Sequence, residues 1–101
     1  MSALQKRVEA MQNIGAGALA DQALRKLIHL QLQKYEKQLE EVQRELEPFE
    51  KQYSMSSEEC HRRFMAGELG DDAEIVEWMG LYDNALLYRG RIETLHAAAE
   101  A

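Results

Sequence analysis

Between Ile28 and Tyr53 the chain places an apolar residue at alternating intervals of 4 and 3: Ile28, Leu32, Tyr35, Leu39, Val42, Leu46, Phe49 and Tyr53. A strand would alternate at every second residue, so a seam of this period fits only a helix with one stripe held against another helix. Leu32, Leu39, Leu46 and Tyr53 fall at one core position of the repeat, and Ile28, Tyr35, Val42 and Phe49 at the other. Charges fill the outside, where Glu36–Glu40 and Lys37–Glu41 stand four apart. A second seam follows later: Trp78, Leu81, Ala85, Tyr88, Ile92, Leu95 and Ala99. At about 1.5 Å of rise per residue each seamed stretch runs close to 40 Å, and rods of matching length can zip side by side. The expected fold is all-α, an antiparallel coiled-coil helical hairpin with a short helix at the tip and a short N-terminal helix. It forms a single domain over 1–101.

Local signals place the ends of the helices. Leu4, Val8 and Met11 recur at helical spacing over 2–13, and Asn13-Ile14-Gly15-Ala16-Gly17 breaks that helix. The long helix spans 18–53. In its first part Leu24, Leu27, Ile28, Leu30 and Leu32 cover more than one face, which predicts that something encloses it. Pro48 lacks an amide hydrogen, so it predicts either a kink or a helix restart. Ser54-Met55-Ser56 ends the helix, and Ser56 with Glu59 reads as a capping box opening a short helix over 56–66. Gly67 stops that helix and Gly70 follows; Asp71 with Glu74 reads as a second capping box for the last helix, 72–98. Ile75, Met79, Tyr82 and Leu86 make a further stripe beside the second seam. Gly80 and Gly90 each cost about 1 kcal/mol relative to Ala in a helix interior, which predicts close approach of another backbone.

Composition narrows the function. With 30% charged and 46% hydrophobic residues and one proline, the chain is expected to fold rather than stay disordered. No run reaches the roughly 18 apolar residues of a membrane span. The amino terminus leads into no apolar run of signal-peptide length, and the lone Cys60 cannot form an internal disulfide, so a soluble, cytoplasmic protein is expected. Charge is uneven. Residues 1–52 hold eight bases and eight acids, whereas 53–101 hold four bases and ten acids. Glu68, Asp71, Asp72, Glu74, Glu77 and Asp83 follow one another with no base between them. Such a region repels nucleic acid phosphates and attracts basic protein surfaces, although a plain solvated face accounts for the same letters.

Candidate chemistry is sparse. Glu58 with His61 and Glu93 with His96 have the spacing that supplies metal ligands inside ferritin-like bundles. In the expected hairpin the two pairs lie at opposite ends, over about 30 Å apart by helix rise, and would meet only between chains. Gly70-Asp71-Asp72 reads as helix-capping acids rather than a magnesium site. Cys60 and His61 are neighbours on a helix and point about 100° apart, so they do not face each other as a nucleophile and base would. His29 flanks an apolar stretch, and Trp78, Tyr82 and Tyr88 stand at core spacing. There is no phosphate-binding glycine loop, serine elbow or zinc cysteine set. The expectation is a non-enzyme with no catalytic residues, metal or cofactor.

Three segments carry a resemblance: 49–59 (Phe49 to Glu59), then 63–72 with Phe64, Gly67, Glu68, Leu69, Gly70, Asp71 and Asp72, then Glu77-Trp78 with Leu81-Tyr82. Over about 24–95 the chain resembles small, uncharacterised prokaryotic coiled-coil proteins with a Gly-Glu-Leu-Gly-Asp-Asp connector. These are antitoxin-like partners of small toxins encoded nearby. Two departures stand out. Ser54 occupies a position where glycine is usual, which questions a left-handed turn, and Cys60 replaces an aromatic, which predicts thinner packing under the short helix.

The resemblance implies a protein-binding antitoxin with no catalytic residues. In the residues, the apolar stripe Ile75, Met79, Tyr82 and Leu86, with Trp78 beside it, would dock on a toxin while Asp71, Asp72, Glu74 and Glu77 meet its basic groups. The N-terminal helix and residues 18–32 would supply dimerisation, as a homodimer or within a hetero-oligomer. The rival class is a homo-oligomeric coiled-coil scaffold whose seams satisfy each other. Direct nucleic acid or membrane partners are not expected.

Overall fold

The computed structural model describes residues 1–101 as four helices joined by short turns. The first, α1 (Ala3–Asn13), opens with a full capping box: Ser2 Oγ accepts the Gln5 amide at 3.1 Å, and Gln5 Oε1 accepts the Ser2 amide at 2.8 Å. Gly15, at φ 79, turns the chain into α2 (Gly17–Tyr53). This helix runs through Pro48 without dividing. At its end Ser54 takes φ 48 and ψ 45, and both the Ser54 and Met55 amides reach the Glu50 carbonyl. The left-handed turn therefore forms with serine in place of glycine. A Cβ in that region costs about 1–2 kcal/mol.

Helix α3 (Ser57–Met65) starts where Ser56 Oγ accepts the Glu59 amide at 3.1 Å. The expected capping box is only half made. Glu59 turns its carboxylate to Arg62 at 2.7 Å and Arg63 at 2.9 Å, so it does not reach back to the cap. Gly67, at φ 75, ends the turn after α3. The N-cap of α4 (Ala73–Ala99) is Asp72, whose Oδ1 accepts the Glu74 amide at 2.9 Å. Asp71 does not cap, and Glu74 points instead to the end of α2.

Cross-helix pairs fix the antiparallel register. Tyr53 stacks on Trp78 at 5.3 Å, Tyr35 meets Tyr88 at 6.0 Å, and Arg91 donates to the Tyr35 hydroxyl at 3.1 Å. His96 reaches Glu36 at 3.5 Å. Continued to its end, this register brings Ala99 to the level of Ile28, so the first turns of α2 have no α4 beside them. Helix α3 packs on both long helices, while α1 touches α2 alone. The main core is Val42, Leu46, Cys60, Ile75, Trp78, Met79, Tyr82 and Ala85, all in the half of the hairpin nearest the tip. The molecule measures 59 × 25 × 19 Å, with a radius of gyration of 19.6 Å. A compact chain of this length would have about 13 Å. No helix is long and apolar enough to cross a membrane.

Candidate interaction surface

At the tip one polar thread ties three helices together. The Trp78 indole N–H donates to Ser57 Oγ at 2.8 Å, and the Ser57 hydroxyl donates to Glu50 at 2.8 Å. The Ser57 amide reaches the same carboxylate oxygen at 3.0 Å. Trp78 is fully buried and stacks on both Phe49, at 5.8 Å, and Tyr53. Every polar atom in the thread has a partner, so its role is to hold α3 and α4 against α2. Helical periodicity and capping signals assign no role to Glu50 or Ser57. The only signal was a second serine directly after the cap, seven residues beyond an acid.

Several groups around the tip have shifted acidities. Tyr53 donates its hydroxyl to Glu74, and that hydrogen bond, with burial and the nearby carboxylate charge, pushes the phenol up to about 12. Hydrogen bonds from Arg62 and Arg63 hold Glu59 down at about 2. Burial pushes the Cys60 thiol up, against the opposing pull of Arg63.

The residues expected to form the docking stripe divide between core and surface. Ile75, Trp78, Met79 and Tyr82 are buried within the chain, and this corrects their assignment to a partner. The stripe beside the seam is the bed on which α3 lies. Cys60 is enclosed in the same core, Phe64 packs against it, and the His61 ring sits 5.2 Å from Tyr82. Only Leu86, 40% exposed, emerges from that stripe. Asp71, Asp72, Glu74 and Glu77 are exposed, but Glu74 is engaged by Tyr53 and Gln52.

A third face of α4 is bare. Val76, Gly80, Asp83, Leu87, Gly90 and Thr94 follow at intervals of 4, 3, 4, 3 and 4, and all are exposed. Val76 and Leu87 are each about half exposed, at 49% and 47%. A Cβ built on Gly80 or Gly90 meets nothing within 4 Å, so no backbone of this chain makes the close approach their presence predicted. Beside this face Tyr35, Leu87, Gly90, Arg91 and Leu95 help line an open groove of about 530 Å³. The large apolar residues of this face are Val76 and Leu87, set among the two glycines, Asp83 and Thr94. Around α4, α2 covers one side, α3 covers another over the first half, and the third is bare apart from the approach of His61 to Asp83.

The histidines stay in simple pairs. His61 lies 3.7 Å from Asp83 near the tip, and His96 faces Glu36 towards the open end. No group of three or more His, Cys, Asp or Glu side chains is placed to hold a metal ion. Set against family models, curated proteins and solved structures, the chain matches none.

Proposed function

We propose that this chain is a protein-binding module, and specifically a proteic antitoxin that covers and neutralises a small toxin encoded nearby. The observation that carries the binding role is the uncovered third face of α4, where Val76 and Leu87 stand in solvent beside two helical glycines. A partner helix laid along that face would finish enclosing α4, and Gly80 and Gly90 would let its backbone come close. Exposed Glu77 and Asp83 flank the apolar residues, and Asp71 and Asp72 lie at the start of the same helix, an arrangement suited to a basic partner. The antitoxin role itself rests on the resemblance of the tip and connector.

The test is co-expression with the product of the adjacent open reading frame. Growth arrest by the neighbour alone, relieved by this chain but not by its Leu87→Glu variant, supports the reading. A neighbour that is harmless and does not co-purify overturns it. A homo-oligomeric scaffold is the second reading, favoured by the exposed leucines in the first part of α2. It requires assembly without any neighbouring gene product.

A further inference from the structure

We infer that the end of the rod opposite the tip is a two-fold interface, in which a second copy of this chain lays the first turns of its α2 antiparallel against those of the first. This concerns a surface separate from the outer face of α4, and it stands whether or not a toxin is the partner.

Area comes first. The chain exposes 7346 Å². A compact monomer of 11.6 kDa exposes about 5,800 Å². The excess, about 1,500 Å², exceeds the roughly 800 Å² that each partner contributes to a standard interface and lies within the range of permanent homodimers. The apolar part of that excess is concentrated. Of the eleven large hydrophobics that stand exposed, seven (Met1, Leu4, Ile14, Leu19, Leu24, Leu27 and Leu30) lie in the first thirty residues. Helix α1 has a complete cap and no buried residue. A helix of eleven residues is marginal by itself, so its apolar side needs a neighbour.

Shape and charge then select the occupant. Because α4 ends near the level of Ile28, about eleven residues of α2 extend past it, roughly 16 Å of helix with only α1 beside it. What is missing there is one helix with an apolar face of the same length, and the same segment of a second copy supplies it. Each overhang then fills the place that the other's α4 leaves empty, as an isologous contact requires. Charge permits this end and opposes the other. Residues 1–32 carry four bases and two acids, and Asp21 and Arg25 pair at 2.9 Å. Residues 53–83 carry two bases and eight acids. Two copies joined at their overhangs keep these acidic tips at opposite ends of a longer rod.

The experiment measures the mass of the full chain by sedimentation across a wide concentration range, with the wild type, Leu27→Glu/Leu30→Glu and Leu87→Glu compared. The expected result is a two-chain species for the wild type and Leu87→Glu, and a single chain of unchanged helicity for Leu27→Glu/Leu30→Glu. Oxidation of Ala23→Cys, on the exposed stripe with Leu19 and Leu27, should give a covalent dimer, whereas Met65→Cys at the tip should not. The inference is overturned by a monomer at every concentration or by an assembly larger than two. It is equally overturned by a dimer lost through Leu87→Glu and kept in Leu27→Glu/Leu30→Glu, or by cross-linking through position 65 in place of 23. A wild-type dimer that fails to relieve arrest by the neighbouring gene product would sink the antitoxin reading and leave this one standing.

Discussion

The two ends of the rod use apolar side chains to opposite effect. At the tip, α2, α3 and α4 converge and enclose Trp78 and Cys60 completely. At the far end leucines are as frequent, yet no residue before Leu32 is buried. Aliphatic content alone does not separate the two regions, although the aromatics and most of the acids lie towards the tip. Three helices meet at one end, and at the other α2 has only α1 beside it. An apolar stripe states that a helix has a partner and says nothing about whose helix that is.

This contrast can be broken by substitution, starting where the effect is largest. Trp78→Ala should destabilise the chain by about 3–5 kcal/mol, because it empties the centre of the core and removes the donor to Ser57. Urea unfolding measures it, and a small loss would mean the tip is not the stable end. Glu50→Ala leaves the buried Ser57 hydroxyl and amide without their acceptor and should cost roughly 1–3 kcal/mol, with Glu50→Gln losing less.

Acidity sharpens the same comparison, since both groups with shifted values near 2 and 12 lie at the tip. Tyr53 is raised from 10.0 to about 12, so its contribution to stability is complete below pH 10 and is lost as pH rises through 12. Glu59 is lowered from 4.5 to about 2, so its contribution is present above pH 4.5 and is lost as pH falls towards 2. Unfolding followed across pH should show both limbs. Tyr53→Phe should flatten the alkaline limb, and Glu59→Gln the acid one. Ser54→Gly relieves a left-handed serine and should stabilise by up to about 1 kcal/mol after glycine's own entropy is counted, seen as a higher melting temperature. At the other end, Leu27→Ala measured on the dilute single chain should change stability by less than about 0.5 kcal/mol. A loss of the size seen at the tip would show that the overhang is packed within its own chain.

Much of this architecture is legible in the residues. The alternation of 3 and 4 defines both long helices, and Asn13–Gly17, Ser56, Gly67 and Asp71 mark the helix ends to within one or two positions. These signals are local, set by backbone sterics and by amides that need a partner. The candidate surface is less legible because it depends on contacts distant in sequence. Ile75, Met79 and Tyr82 form an apolar stripe whether α3 or a foreign helix covers them. Glu50 reads as one more outward charge until Ser57 is folded back onto it. Val76 and Leu87 belong to a third stripe interrupted by glycines and an aspartate, so a search for hydrophobic repeats passes over it.

Cys60 has a consequence for following this molecule in solution. It is the chain's single sulfhydryl, it is sealed beneath α3, and its surroundings disfavour the thiolate that reagents attack. A modifying reagent must therefore wait for α3 to lift, and its rate of incorporation becomes a clock for that opening. A ligand clamping the neighbouring helix should slow the clock, while pairing of two copies at the remote end should leave its rate unaltered.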